Sequence, residues 1–395
     1  MSVINKVSEA SCCGCGACVA VCQRHCLQMK QDNNGWFRPL LSLRACNECG
    51  LCESVCPVLA PKTLREQSEN VFAAKAKSKS IRIKSSSGGV FATLANHIIE
   101  QQGVVCAARF ASPTKLIHDF CSKKEDLPGY MGSKYLQSDM SDCYLKTKNY
   151  LLQGVKVLFV GTPCQVMALK LYLKKTYPEL ITMEIVCHGV PSQKAWQNYL
   201  EAICRRTKTK PESITGIEFR NKDRSWSEYS LKISTPEGTI HRKTRRNDLF
   251  LKAFQSNLLQ RDCCFSCPAK SVETKSDIVA GDYWGVDNFH RDIADDRGVS
   301  CLIVRNKSLL PLIKSLPLEL TATKYEYIEA SNPAIERLTR PNPKREQYLQ
   351  TLACKDFIEA TKPLVQTPLS QKTRLAINNF KHSLLILLQR IKPYR

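Results

Sequence analysis

From Ser85 to about Arg345 the chain alternates short apolar runs with amphipathic stretches of helix length. Val155-Lys156-Val157-Leu158-Phe159-Val160 reads as a buried strand, Gly161-Thr162-Pro163 breaks it, and Val166 to Lys174 has the spacing of a following helix. By the same test Leu180 to Val186 is a second strand, and Ile278-Val279-Ala280 and Cys301-Leu302-Ile303-Val304 are two more. Strands alternating with helices predict an α/β domain on a mixed sheet. On either side the pattern changes. The first 62 residues are dense in cysteine, and Lys62 to Lys84 turns polar and basic, as a linker or a helix crossing between domains would. From Ala360 to Arg395 there are seven Lys or Arg and no acidic residue, ending in a helix-like segment around Phe380, Leu384, Leu387, Leu388 and Ile391. Such a tail fits peripheral contact with the inner face of a membrane, or docking on protein. The predicted organisation is a first domain over 1–62, a second over 63–345 and a basic helical tail over 346–395.

At 395 residues and 43% hydrophobic content the chain has length for two or three domains with ordinary cores, so size does not demand cross-links. It nevertheless contains 21 cysteines. No basic stretch, apolar stretch and cleavage site open the sequence, which predicts a cytoplasmic protein. There a cysteine surplus reads as metal ligation or redox chemistry, not as a disulfide framework. No apolar run approaches the roughly 18–20 residues that cross a bilayer. The net charge of +22 suggests nucleic acid, an anionic surface or an acidic partner. No nucleic-acid reading motif accompanies it, so nucleic acid is not expected.

Cys12, Cys15, Cys18 and Cys22 follow the spacing C-x2-C-x2-C-x3-C, and Cys46, Cys49, Cys52 and Cys56 repeat it with Pro57 after the last. This is the run of a two-cluster bacterial ferredoxin, in which three thiolates hold one 4Fe-4S cubane and the fourth cysteine ligates the other. Cys12, Cys15, Cys18 and Cys56 are thereby expected at one cluster, and Cys46, Cys49, Cys52 and Cys22 at the second. Small residues at Gly14, Gly16, Ala17 and Gly50 leave room for backbone amides near the sulfurs. A pair of zinc sites is the competing explanation, but zinc needs no added x2-C-x3-C. Gln23 stands where proline usually follows, a position that supplies no ligand. Cys13 and Cys26 are left over as packed or free thiols.

Four later cysteines stand in loaded settings: Cys164 in Gly161-Thr162-Pro163-Cys164-Gln165, Cys187 in Cys187-His188-Gly189, and Cys264 with Cys267 as a C-x2-C. Loops at the ends of neighbouring strands converge on one crevice, so these segments are candidates to supply a third 4Fe-4S site. Cys263 is the alternative donor to Cys264, against the spacing. Cys106, Cys121, Cys143, Cys204, Cys301 and Cys354 read as small core hydrophobes.

Together with Ser86-Ser87-Gly88-Gly89-Val90 and Ser276-Asp277-Ile278-Val279-Ala280-Gly281-Asp282, those segments resemble the coenzyme F420 hydrogenase/dehydrogenase beta-subunit family, in its bacterial form with an N-terminal double 4Fe-4S ferredoxin domain. The likeness runs over nearly the whole chain apart from the tail. It implies an α+β protein in which the ferredoxin domain precedes an α/β flavin-binding domain with a mixed sheet. It implies FAD beside a 4Fe-4S cluster held by Cys164, Cys187, Cys264 and Cys267. Ser86, Ser87, Gly88 and Gly89 feed a helix whose N-terminus suits a diphosphate, and Gly132, Ser133, Lys134 and Tyr135 resemble the family's second flavin-contacting segment. An ordinary capped helix and a tight turn are the plain alternatives. Trp284 is either core or crevice wall, and His188 either a proton donor or structural.

The activity so implied is that of an iron-sulfur flavoprotein oxidoreductase passing electrons to or from a hydride-exchanging substrate. The cofactors supply the difficult chemistry. An acidic carrier such as ferredoxin or flavodoxin suits the charge, and the layout is that of family members from cell-surface polysaccharide pathways, with a small-molecule or glycan-pathway substrate. The rival is a non-catalytic relay subunit that needs a partner to turn over.

Overall fold

The computed structural model describes residues 3–365. The tail's helix-like segment around Phe380 to Ile391 therefore lies outside the described residues. Residues 346–365, assigned above to the tail, form the helices Arg345–Cys354 and Phe357–Val365, whose Tyr348, Leu352, Phe357, Ala360 and Val365 are buried in the same core as Trp196 and Phe250.

An eight-stranded mixed sheet organises the second domain. Its order is Leu318–Ala322, Val71–Ala76, Ser300–Val304, Ile278–Asp282, Leu180–Ile185, Val157–Gly161, Val104–Ser112, Lys115–Cys121. The four strands from Ile278–Asp282 to Val104–Ser112 run parallel, with antiparallel partners on both flanks. Val157–Gly161 is buried at every position, as expected of a central parallel strand covered on both faces. Asp277 staples its neighbours: its carboxylate accepts from the Thr182 amide at 2.9 Å and hydroxyl at 2.6 Å, and from Lys170 at 3.3 Å. A three-stranded antiparallel sheet, Gly216–Asn221, Ser230–Thr235 and Gly238–Thr244, packs beside it.

The stretch from Lys62 to Lys84 is not a linker. It contributes the sheet strand Val71–Ala76, paired on both sides, and the short helix Lys79–Lys84. Its four small or apolar inward residues are hidden between polar flanks, which is why composition misleads there.

The N-terminal domain carries a hairpin, Leu27–Gln31 with Phe37–Leu41, and three one-turn α-helices among the described residues, Val3–Lys6, Ala17–Ala20 and Leu51–Ser54. The last two each start after a glycine in the left-handed region, Gly16 at φ 79° and Gly50 at φ 72°. The domain is seated on the second one through its first cysteine loop. Tyr144 donates to the Cys15 carbonyl at 2.9 Å, and Gln137 to those of Cys13 and Gly14 at 3.2 and 3.3 Å. No helix among the described residues is long and apolar enough to cross a membrane.

Candidate redox site

Three cavities lie in a row, each sharing a wall with the next. The first, ≈ 370 Å³, is lined by Cys12, Cys15, Cys18 and Cys56 among Val3, Ile4, Val7, Met29 and Val58. Cys56, distant in sequence, thus faces the three cysteines of the opposite run. Burial pushes the Cys18 thiol up to about 12, with Cys12 and Cys56 adding to it. Of the second group, the Cys22 sulfur lies 3.3 Å from that of Cys26, Cys46 neighbours Cys26, Cys52 neighbours Cys18 and Cys56, and Cys49 is exposed. Cys26 is therefore packed against the ligand run.

The second cavity is lined by Cys164, Cys187, Cys264 and Cys267, with Cys13, Gly14 and Cys15 closing one side. Each of the four arrives by a local device. Thr162 caps the helix Pro163–Leu173 in a reciprocal box with Gln165 and puts Cys164 in its first turn, where the helix dipole favours a thiolate. Cys187 follows the strand Leu180–Ile185, and Cys264 and Cys267 stand on and after the 3₁₀ turn Asp262–Ser266. Gly189, at φ +112°, admits the approach of Cys264: a Cβ there would stand 3.2 Å from the Cys264 Cβ and 2.6 Å from Gln260. Crowding leaves its mark on the thiols. Cys164 is held well above the usual range, first by its contact with Cys13, and Cys187 and Cys267 are raised by burial, Cys267 to about 12. Cys264 is lowered by the Cys263 thiol. Four half-buried thiols lining one cavity form thiolates readily around bound cations, so the donor set fits a metal cluster. Among the described residues no group of His, Cys, Asp and Glu closes tightly enough to hold a single metal ion.

A backbone feature recurs at three of the cysteines. Cys12, Cys46 and Cys187 each accept an amide from the residue two positions on, Gly14, Glu48 and Gly189, at 3.4 Å. All three donors have positive φ. N–H···S bonds of this kind tune cluster potential.

The third cavity, ≈ 520 Å³, shares Cys187 to Val190, Leu136, Ser138, Thr162 and Gln165 with the second. Both sequence-predicted loops reach it. Ser86, Ser87, Gly89, Gly132, Ser133, Lys134 and Tyr135 all line it, at the N-terminus of the 11-residue helix Val90–Glu100. The Ser133 amide donates to the Ser86 hydroxyl at 2.5 Å, which ties the loops together. Gly88 does not face the cavity: its amide donates to Ser300 at 2.9 Å, and a Cβ would stand 2.1 Å from the Ala74 carbonyl oxygen. The Lys134 ammonium is turned onto the carbonyls of Tyr130, Met131 and Gly132, and desolvation brings it down to about 7. Tyr135 stacks on Phe254 with centroids 4.8 Å apart. Trp284 both lines the cavity and stacks on Trp226 at 4.6 Å. His188 lines both cavities and shares a 2.9 Å hydrogen bond with Asn257.

Sequence reasoning missed Arg220 and His118. Arg220, buried in the cavity wall, pairs with Asp282 at 2.8 Å, donates to the Ser86 carbonyl at 3.1 Å and lies over the rings of Tyr229 and Trp284. The Phe219-Arg220-Asn221 segment carries no motif that would have pointed to it. His118, neutral and buried, donates from Nε2 to the Val160 carbonyl at 3.0 Å and accepts at Nδ1 from Ser138 at 2.7 Å. A diphosphate-bearing ligand fits this cavity, given two serine loops, a helix N-terminus and a buried arginine in one wall.

Ferredoxin-like cysteine loops docked on a mixed sheet define an iron-sulfur oxidoreductase subunit. The chain belongs to the coenzyme F420 hydrogenase/dehydrogenase beta-subunit family: residues 71–143 match the model of the beta subunit's N-terminal part and 154–329 that of its C-terminal part. Residues 11–60 match the 4Fe-4S dicluster domain. Among solved structures the chain is similar to one from the F420-reducing nickel-iron hydrogenase complex of Methanosarcina barkeri, at 16% identity, covering 74% of this chain and 91% of that one with a TM-score of 0.44. No curated protein matches the chain.

Proposed function

We propose that this chain is an iron-sulfur flavoprotein that relays electrons between an acidic carrier and a hydride-exchanging substrate, with a third 4Fe-4S cluster and FAD beyond the ferredoxin domain. The observation that carries this reading is the shared walls: Cys13 to Cys15 belong to both the first and second cavities, and Cys187 to Val190 to both the second and third. When bound, the clusters carry single electrons and the flavin exchanges them for hydride.

The chain's own residues have defined parts in this reading. Cys12, Cys15, Cys18 and Cys56 hold one N-terminal cluster, Cys46, Cys49, Cys52 and Cys22 the other, and Cys164, Cys187, Cys264 and Cys267 the third. Ser86, Ser87, Gly89, Gly132 and Ser133 receive the FAD diphosphate, Arg220 adds a fixed positive charge beside it, and Tyr135 and Trp284 give aromatic wall. Val3, Ile4, Val7 and Val58 keep water from the first cluster cavity. The bacterial layout suits a role in making cell-surface polysaccharide, with the basic face meeting the carrier or a membrane.

Anaerobic purification with iron, sulfide and flavin quantification tests the scheme. About twelve irons and one FAD per chain are expected; about eight irons without flavin would leave the ferredoxin part alone and overturn the rest.

A further inference from the structure

Arg261 is fully buried, at 0% exposure, two residues before the Cys263-Cys264 pair. Its Nε donates to the Cys12 carbonyl at 2.6 Å and its Nη1 to Gln137 Oε1 at 3.0 Å. Its backbone is fixed as well, with its amide on the Val190 carbonyl at 3.1 Å and its carbonyl accepting from Cys264 at 3.0 Å. It is thus wedged between the first cysteine loop and the later cysteine set. The fit is close enough that a Cβ on Gly14 would stand 2.8 Å from Nη1.

The side chain lacks what buried arginines need. The other buried arginines each meet a carboxylate: Arg220 meets Asp282 at 2.8 Å, and Arg82 meets Asp295. Arg261 makes no ion pair among the described residues, its neighbour Asp262 turning to Arg345 at 2.6 Å, and its Nη2 is buried with no hydrogen-bond partner. A guanidinium cannot shed its proton to escape this, and an unpaired buried charge costs several kcal/mol. The compensating charge must come from outside the polypeptide's own carboxylates. Thiolate-ligated iron-sulfur clusters are anionic, and bound by the two cysteine sets they would enter the local charge balance.

We infer that Arg261 is the buried counter-cation between the cysteine sets of the first N-terminal cluster and the third cluster, where its charge would raise the reduction potential of the nearer cluster. The inference rests on the cluster assignments proposed above. A positive charge fixed beside a cluster favours the added electron, so its removal lowers the potential. Arg261 is a positioning residue, bound to the Cys12 carbonyl and acting on the clusters through its charge, not a ligand.

The test is an anaerobic redox titration followed by electron paramagnetic resonance on the full chain, with iron counted in every sample. Arg261→Gln should move at least one cluster to a more negative potential by at least about tenfold in its equilibrium, about 59 mV for one electron. Arg261→Lys, which keeps the charge, should stay within about threefold of wild type, under half that shift. Tyr144→Phe strips a hydrogen bond to the Cys15 carbonyl from the same loop without touching Arg261, and should leave the potentials in place. An unchanged potential in Arg261→Gln with full iron, or an equal shift in Tyr144→Phe, would overturn the inference. If Arg261→Gln fails to hold iron, Arg261→Lys decides: full iron with near-native potentials supports the inference, and a tenfold shift or iron loss refutes it. A wild-type chain with about eight irons would sink the third cluster separately, while the N-terminal potentials would still judge Arg261.

Discussion

Arg220 and His118 are the residues on which the large cavity depends, and each makes its own prediction. Truncating Arg220 to alanine strands Asp282 and removes a charge stacked between Tyr229 and Trp284. Arg220→Ala should cost about 3–5 kcal/mol in anaerobic urea unfolding and lower flavin retention. His118 is held down at about 4 by burial, against 6.5 in a free chain. The unfolded chain therefore binds the proton first as pH falls, so stability from the neutral imidazole is complete above about pH 6.5 and is lost on the way down to about pH 4. The loss amounts to about 3 kcal/mol, and His118→Asn should flatten that part of the stability curve. Neither residue was legible beforehand. Arg220 acquires meaning only when the three-stranded sheet meets Asp282, and an isolated histidine in Lys115–Cys121 carries no spacing signal.

At the level of elements, what could be read was what local pattern encodes. Val157–Gly161 declared itself by an unbroken apolar run and Gly161-Thr162-Pro163 by breaking it, so strand and following helix were foreseen. The helix starts at Pro163 and not Val166 because Thr162 and Gln165 cap it, which takes Cys164 into its first turn. Val71–Ala76 was not foreseen, because a strand of small residues with a lysine in it looks like its polar surroundings. Gly88 was expected to face a ligand and is instead a packing glycine under the Ala74 carbonyl. Gly88→Ala should destabilise by about 1–3 kcal/mol through overpacking, read by thermal unfolding. Thr162→Ala should cost about 1 kcal/mol through the lost cap. Because that cap sets the helix turn bearing Cys164, a chelator should strip iron from Thr162→Ala faster than from wild type.

Across the whole molecule, the spacing of the cysteines gave the ligand runs, but the docking of one domain on the other did not show in any spacing. Cys13 seemed a spare thiol and stands, 7% exposed, in the wall between two cavities. The excess of positive charge, +22 before any cluster is counted, predicts that reduction by an acidic protein carrier slows as ionic strength rises, while reduction by a small neutral reagent does not. The continuity of the three cavities carries the whole account, and electron arrival at the flavin tests it most directly. In rapid-mixing experiments with a reduced acidic iron-sulfur carrier, the wild-type flavin should bleach after the N-terminal clusters are reduced. In Cys187→Ser the N-terminal clusters should still be reduced while the flavin stays oxidised on the same timescale. Equal flavin bleaching in both proteins would contradict a relay through the later cysteines.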